Sequence, residues 1–142
     1  MAVARAYSVK KIIAFDVEQS RVQFATSYAA DVGVVSTLKP TNEEPLEFAT
    51  SFVQGVLKEH GLEGGVDLAI EASGAEVCMQ MAVVAAKPGA TSEFRNTSLP
   101  LQCSHHVTVI QAGLGGSLSA VPMFLVTAKE LNIKGKGTLL VA

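Results

Sequence analysis

The chain has 142 residues, of which 49% are hydrophobic and 17% charged, and its net charge is −2 at pH 7. This composition favours one packed domain over a disordered chain, and the lack of a basic run argues against nucleic acid as the main partner. No apolar stretch approaches the roughly 20 residues that a membrane-spanning helix needs. Cys78 and Cys103 do not form a disulfide framework, so a reducing compartment such as the cytoplasm is expected.

Short apolar runs alternate with helical stretches, which is typical of βαβ units. The first half predicts a helical tail over Ala2 to Tyr7, a strand at Ile12–Phe15 and a helix from Glu18 to Ala29. A strand at Val32–Val35 and a polar loop from Leu38 to Glu44 follow. The next predicted helix begins at Pro45 and is ended by Gly61. The strand at Ile12–Phe15 is apolar at successive positions, as in strands covered on both faces. The inward side of the following helix is predicted to hold Val22, Ala25, Tyr28 and Ala29.

The second half continues the alternation. It predicts a strand at Val66–Ala72, a turn at Ser73-Gly74, and a helix from Ala75 to Ala86 that is stopped by Pro88-Gly89. After these it predicts a strand at Thr108–Ala112, a helix from Pro122 to Leu131, and a further strand beginning at Asn132–Gly135. The inward side of the helix after the turn is predicted to hold Val77, Met81, Val84 and Ala85.

One segment interrupts this pattern. Residues 92–107 follow neither a strand nor a helix period, carry a central Pro100, and separate Thr91 from Thr108, which would otherwise share one strand. We interpret the segment as an inserted loop in a single domain spanning residues 1–142. The last residues, 136–142, also lack a recognisable termination pattern.

Asp16 ends the first predicted strand and is followed by a helix, which is how the second strand of a dinucleotide-binding unit ends. In such a unit the acid lies about 20 residues after a G-x-G-x-x-G turn. Only 15 residues precede Asp16 here, and Met1 to Lys10 contains no glycine. The expected fold is therefore α/β: an incomplete Rossmann-type, doubly wound parallel sheet that lacks its first strand and Gly-rich turn.

Four pieces of sequence carry a resemblance to a known family. They are Ile13-Ala14-Phe15-Asp16 with Arg21 five residues on, Asp67 to Glu76, Gln111 to Gly115, and Glu130 to Gly135. In order and spacing they resemble the coenzyme domain of the medium-chain zinc-containing alcohol and polyol dehydrogenases, such as sorbitol, xylitol and L-arabinitol dehydrogenases.

The resemblance implies a set of dinucleotide contacts. Asp16 would bind the adenosine ribose hydroxyls and favour NAD over NADP, because a carboxylate repels a 2′-phosphate. The remaining implied contacts are Arg21 at the adenosine end, Ala72, Ser73 and Gly74 on the adenine side, and Gly113 and Leu114 near the nicotinamide ribose. Zinc belongs to the full-length family, but its separate catalytic domain, with Cys, His and Glu ligands, has no counterpart in this sequence.

Other candidate chemistry is weaker. Cys103, His105 and His106 could ligate a metal, but a structural zinc site needs four ligands, and an exposed polar loop is the favoured interpretation. Gly113 to Gly116 lacks the G-K-[ST] ending of a P-loop, so it is interpreted as a turn. Glu71 ends a strand where a carboxylate could act in acid–base chemistry; without a partner histidine we assign it a structural role.

These observations predict part of the NAD-binding domain of a zinc-dependent polyol dehydrogenase, inactive alone, with a dinucleotide as ligand and a polyol as substrate of the full-length parent. One alternative is a non-catalytic oligomerisation or nucleotide-binding module, because coenzyme domains of this family pair through the strand near Ile133. Another is an S-adenosylmethionine-binding domain, which also uses a strand-end acid. Self-association is expected, because the missing first strand leaves sheet edges open.

Overall fold

The computed structural model describes residues 1–37, 42–88, 108–111 and 120–135. Helices and strands alternate through this part of the chain. In chain order they are α1 (Ala2–Ala6), β1 (Ile13–Asp16), α2 (Gln19–Tyr28), β2 (Val32–Val35), α3 (Pro45–Glu59), β3 (Leu68–Glu71), α4 (Glu76–Ala85), β4 (Thr108–Gln111), α5 (Met123–Ala128) and β5 (Asn132–Gly135).

Every one of these elements was predicted from the sequence, with bounds that differ by a few residues. The largest difference is at α5, which was predicted to reach Leu131 and ends at Ala128. The strand β3 begins at Leu68, because Val66 forms only an isolated bridge with Ala86. The predicted insert at 92–107, with Cys103, His105 and His106, lies outside the described residues. So do Gly113 and Leu114 and residues 136–142.

The strands form two parallel sheets. In the first, β1 pairs with β2, and Ile13 lies opposite Val32. In the second, β4 lies between β3 and β5, and Glu71 lies opposite Gln111. The Rossmann strand order is 3-2-1-4-5-6, so these neighbours correspond to strands 2-3 and 4-5-6 of that order. The expectation of a partial Rossmann-type fold is therefore confirmed.

The chain separates into two compact units, residues 1–41 and 42–142. In the first unit α2 packs on its sheet through Val22 and Ala25, both buried as predicted. Tyr28 was also predicted to point inward, and this is wrong: it is 58% exposed and stacks on Phe24, with ring centroids 5.6 Å apart. The two aromatic rings contact each other one helical turn apart, on the side of α2 away from the sheet.

The strand faces also differ from expectation. Phe15 on β1 and Leu68 and Ile70 on β3 are exposed, Ile70 to 59%. The strand at Ile12–Phe15 was predicted to be covered on both faces, and within the described residues this is wrong, because Phe15 is 40% exposed. Each sheet has a helix layer on one side, and the apolar side chains of the opposite side remain open to solvent.

In the second unit α4 is buried from two directions. Met81 and Val84 join a cluster with α3 residues such as Val53, while Met79 and Val83 join a second cluster with Val109 of β4 and Val126 of α5. Of the four inward residues predicted for α4, Met81 and Val84 are buried, and Val77 and Ala85 are half-buried. Only one buried side was predicted for α4, because the spacing of its apolar residues shows only the more regular of the two apolar stripes.

The ends of α3 are set by local chemistry. Pro45 occupies its first turn, where a missing N–H costs nothing. At the other end Gly61 has φ +66°, and the Leu62 N–H donates to the Leu57 carbonyl at 2.8 Å. The predicted glycine cap of this helix is confirmed.

Lys129 closes the carboxyl end of α4. Its Nζ donates to the carbonyls of Val83, Val84 and Ala86, at 3.2, 2.8 and 2.7 Å. These carbonyls have no partner within the helix, and a cation is favoured near the negative end of the helix dipole. Partial burial lowers the pKa of the Lys129 ammonium. No residue pattern predicts this contact, which joins residues more than 40 positions apart.

Substitution of Gly33 tests the packing of α2 on β2. A Cβ at this position would lie 2.5 Å from Val22 Cγ1 and 2.7 Å from Thr26 Cγ2. We expect Gly33→Ala to lower the free energy of unfolding by about 1–3 kcal/mol, the usual cost of overpacking. Gly55→Ala is the control, because nothing lies within 4 Å of its Cβ position on α3; it should stabilise by about 0.5–1 kcal/mol. Urea unfolding followed by circular dichroism measures both, and equal effects would contradict the packing described here.

The stability of the first unit should depend on the charge of Asp31. The Ile12 N–H, which donates to Asp31 Oδ2 at 2.6 Å, and the Arg5 guanidinium, 2.5 Å from Oδ1, lower the pKa of this carboxyl from its usual 3.8. A lowered folded-state pKa adds stability above the unfolded pKa, and that stability is lost as the pH falls through the folded pKa.

The stability difference between the native chain and Asp31→Asn should therefore be constant near neutrality and shrink below about pH 3.8. Urea unfolding midpoints of the native chain and of Asp31→Asn, measured from about pH 6 to about pH 3, give this stability difference. The control is Glu63→Gln, an exposed carboxyl in the second unit. A difference that grows on acidification would refute the assignment.

Candidate nucleotide site at the strand ends

Asp16 lies at the carboxyl end of β1, where ligands of open parallel sheets bind. Its Oδ1 accepts the backbone N–H of Glu18 at 3.0 Å, which turns the chain into α2. The side chain remains 30% exposed, so part of the carboxylate is accessible to a ligand. Such an acid can accept hydrogen bonds from two hydroxyl groups, as a ribose offers.

Arg21 lies one turn into α2, and the helix brings it back to the strand end. Its Nη1 is 3.7 Å from Asp16 Oδ2, and its side chain is 73% exposed. An ion pair this long and this exposed contributes about 0–1 kcal/mol to stability. The pair is therefore weak enough to be rearranged by a ligand that binds either partner.

Ala72, Ser73 and Gly74 form the turn that leads from β3 into α4. Ala72 and Ser73 are exposed, and Gly74 is half-buried with φ +79°, a conformation that favours glycine. Like Asp16, they follow the carboxyl end of a parallel strand. They belong to the second unit, whereas Asp16 and Arg21 belong to the first.

The conformation of this turn is set by Glu71, which is 4% exposed. Its Oε1 accepts the backbone N–H groups of Ser73 and Gly74, at 2.6 and 2.8 Å, and the Ser73 hydroxyl at 2.6 Å. Its Oε2 is buried and has no hydrogen-bond partner among the residues that the structure describes. Sequence reasoning recognised Glu71 only as structural. The signal for its bonds is an acid two residues before serine and three before glycine, the spacing at which a side-chain oxygen reaches turn amides.

A shallow cleft of about 280 Å³ lies elsewhere in the second unit. It is lined by Glu44, Pro45, Leu46, Glu76, Gln80 and residues 120–122. None of the predicted site residues takes part in it, and the buried Gln80 amide at its wall is held by the Ala120 carbonyl at 3.1 Å. We therefore give this cleft no role in dinucleotide binding.

The described ranges contain no candidate metal site. Within them, no three His, Cys, Asp or Glu side chains are placed to hold a metal ion. Cys78 is a half-buried free thiol on α4, and His60 caps α3. Helices in the described part of the chain are also too short or too polar to cross a membrane.

Comparison with known proteins places these features in a wider context. The chain is 34% identical over 134 residues to a probable D-xylulose reductase A of Aspergillus niger, and 31% identical to the D-xylulose reductase A of Aspergillus oryzae. Each match covers 94% of this chain and 30% of the relative. No family model matches the chain.

Solved structures match the fold. The galactitol-1-phosphate dehydrogenase of Escherichia coli has a TM-score of 0.60 at 19% identity, over 95% of this chain and 32% of its own. A putative zinc-binding dehydrogenase of Sinorhizobium meliloti, solved with NADP, has a TM-score of 0.58 at 21% identity, over 94% of this chain and 32% of its own.

The fold is thus a partial Rossmann-type domain, and the solved structures that it resembles are dehydrogenases. The chain is homologous to one segment of the medium-chain zinc-containing polyol dehydrogenases, the family that the sequence resembles. It spans about 30% of the length of the relatives named above.

Proposed function

We propose that the chain supplies NAD-binding residues of a zinc-dependent polyol dehydrogenase acting on a sorbitol-, xylitol- or L-arabinitol-like substrate. The observation that carries the proposal is the position of Asp16, a partly exposed carboxylate at the carboxyl end of a parallel strand, with Arg21 beside it. A carboxylate in this position accepts ribose hydroxyls and repels a 2′-phosphate, so NAD is favoured over NADP. A cytoplasmic location fits this role and is part of the proposal.

The other contacts extend along the dinucleotide. Ala72, Ser73 and Gly74 are proposed to contact the adenine side, and their exposure supports this. Gly113 and Leu114 are proposed to approach the nicotinamide ribose; they lie outside the described residues.

The proposed role is coenzyme binding, without the oxidation step. In the parent reaction the hydride passes from the alcohol to the nicotinamide, and zinc polarises the alcohol. The family's zinc-binding domain has no counterpart in the 142 residues. We therefore propose that these residues alone do not oxidise polyols; zinc-dependent NADH production from xylitol, above a heat-killed control, would contradict this.

Replacing Asp16 tests the nucleotide proposal. We expect ADP-ribose binding to be weak, about millimolar, because backbone amides of a Gly-rich turn normally hold the pyrophosphate. Asp16→Ala should weaken binding further by about 1–2 kcal/mol, the loss of a charged hydrogen bond. Calorimetry or NMR titration measures the change.

Glu18→Ala is the matched control for this experiment. It removes a negative charge two residues away, from a side chain that accepts the Ser20 hydroxyl at 3.3 Å. The control should change binding much less than Asp16→Ala. Micromolar binding that Asp16→Ala leaves unchanged would show that Asp16 is not the ribose ligand.

A second candidate function is a non-catalytic, self-associating module. The exposed Phe15, Leu68 and Ile70 favour it, together with the outer edges of β1 and β3, which have no partner strand in the described ranges. Open edges and apolar strand faces promote pairing between chains. The relatives named above are reductases and dehydrogenases, which favours a dinucleotide over S-adenosylmethionine as the ligand of either candidate.

Light scattering tests self-association. We expect the purified chain to form concentration-dependent oligomers, and Ile70→Lys to reduce them, because it places a charge on the open face of β3. Phe124→Lys is the control, because Phe124 on α5 is also apolar and is more exposed than Ile70, at 82% against 59%. Adding a first strand and Gly-rich turn ahead of Met1 should reduce association and improve NAD binding together. A native chain that stays monomeric at high concentration would refute the proposal.

A further inference from the structure

The turn between β3 and α4 already contains a negative charge of its own. Glu71 Oε1 accepts two consecutive backbone N–H groups, those of Ser73 and Gly74. The next N–H, that of Ala75, donates to the Ser73 hydroxyl oxygen at 3.1 Å, and this hydroxyl in turn donates to Glu71. Three successive N–H groups before the ten-residue helix α4 are therefore satisfied within the chain.

Such a run of N–H groups is the usual binding place for a phosphate. The amides at the start of a helix point away from it, and the helix dipole favours negative charge there. In this turn the position is taken by a carboxylate that is 96% buried, since only 4% of Glu71 is exposed. Glu76, in the first turn of α4, adds a second negative charge.

We infer that Glu71 is a specificity-determining residue: its carboxylate fills the Ser73 and Gly74 amides of the turn ahead of α4, so that this turn accepts the neutral nucleoside part of a nucleotide and excludes phosphate. The nucleoside as ligand rests on the proposed function. The filling of the amide site rests on the hydrogen bonds alone.

The surface that remains for a ligand agrees with this assignment. Ala72 and Ser73 are the exposed residues of the turn. They offer a methyl group and a hydroxyl whose oxygen is already engaged with Ala75, and neither attracts an anion. A flat apolar base, such as a purine, matches these groups better than a phosphate does.

Asp16 shows the contrast within the same chain. It also accepts an N–H two residues further on, that of Glu18, but a third of its side chain stays open to solvent. Asp16 can therefore contact a ligand directly, whereas the buried Glu71 acts through the turn that it holds. Glu71 is a positioning residue, and its effect on ligand choice comes from the amides that it occupies.

The experiment follows the Ser73 and Gly74 amide signals by NMR while sodium phosphate or sodium formate is added at constant ionic strength. In the native chain neither anion should shift the two signals. In Glu71→Ala the amides are vacated, and both signals should shift, with half-saturation at a concentration at least about tenfold lower than any response of the native chain. Formate is included because it matches the removed carboxylate in size.

Glu76→Ala is the matched control, because it removes one negative charge from the same end of α4 without freeing the turn amides. It should respond like the native chain. A Glu71→Ala variant that responds no differently from Glu76→Ala would overturn the inference. So would a native chain whose Ser73 and Gly74 signals shift with phosphate.

If Glu71→Ala does not fold, Glu71→Gln supplies the test. Its neutral amide oxygen is a weaker acceptor of the same shape, so the Ser73 and Gly74 N–H groups should exchange with solvent about tenfold faster than in Glu76→Gln. Equal exchange rates would overturn the inference. The outcome is separate from that of the proposed function, which depends on ADP-ribose binding through Asp16 and not on the anion response of this turn.

Discussion

The second unit depends on the burial of one helix, α4, from two directions. Met81 and Val84 pack towards α3, and Met79 and Val83 pack towards β4 and α5, so the helix belongs to both hydrophobic clusters. Close packing makes such a helix sensitive to any change in its direction. Both of its ends are accordingly fixed by charged side chains: Glu71 holds the turn that opens it, and Lys129 binds the carbonyls that close it.

Local features were predictable from the sequence because they depend on neighbouring residues. The alternation of apolar runs identified each strand and helix of the described ranges, and Pro45 and Gly61 marked the ends of α3 correctly. Which face of a helix or strand is buried was less predictable. The inward position expected for Tyr28 and the double covering expected for β1 both failed, because exposure is decided by which other elements pack on a segment, and periodicity does not report this.

In the candidate site, too, contacts between neighbouring residues were more predictable than contacts between distant ones. The resemblance implies that Asp16 and Arg21, five residues apart, both contact the adenosine end of the coenzyme, and the first turn of α2 brings the two side chains to 3.7 Å. Glu71 was assigned a structural role because the sequence offers it no partner histidine, but the number of amides it accepts could not be predicted from spacing alone. The Lys129 contacts had no sequence signal, since they depend on how α5 returns to the end of α4.

The Lys129 contacts also have a consequence for the length of the connection between α4 and β4. They join the end of α4 to the end of α5, and β4 is separately held between β3 and β5. The two ends of the stretch from Pro88 to Thr108 are thus fixed by interactions among the described residues. The entropy of closing a flexible connection rises only with the logarithm of its length, about 0.6 kcal/mol for each doubling. A longer connection between these two anchor points would therefore cost the second unit little chain entropy, while the helix that both hydrophobic clusters share keeps its contacts at both ends.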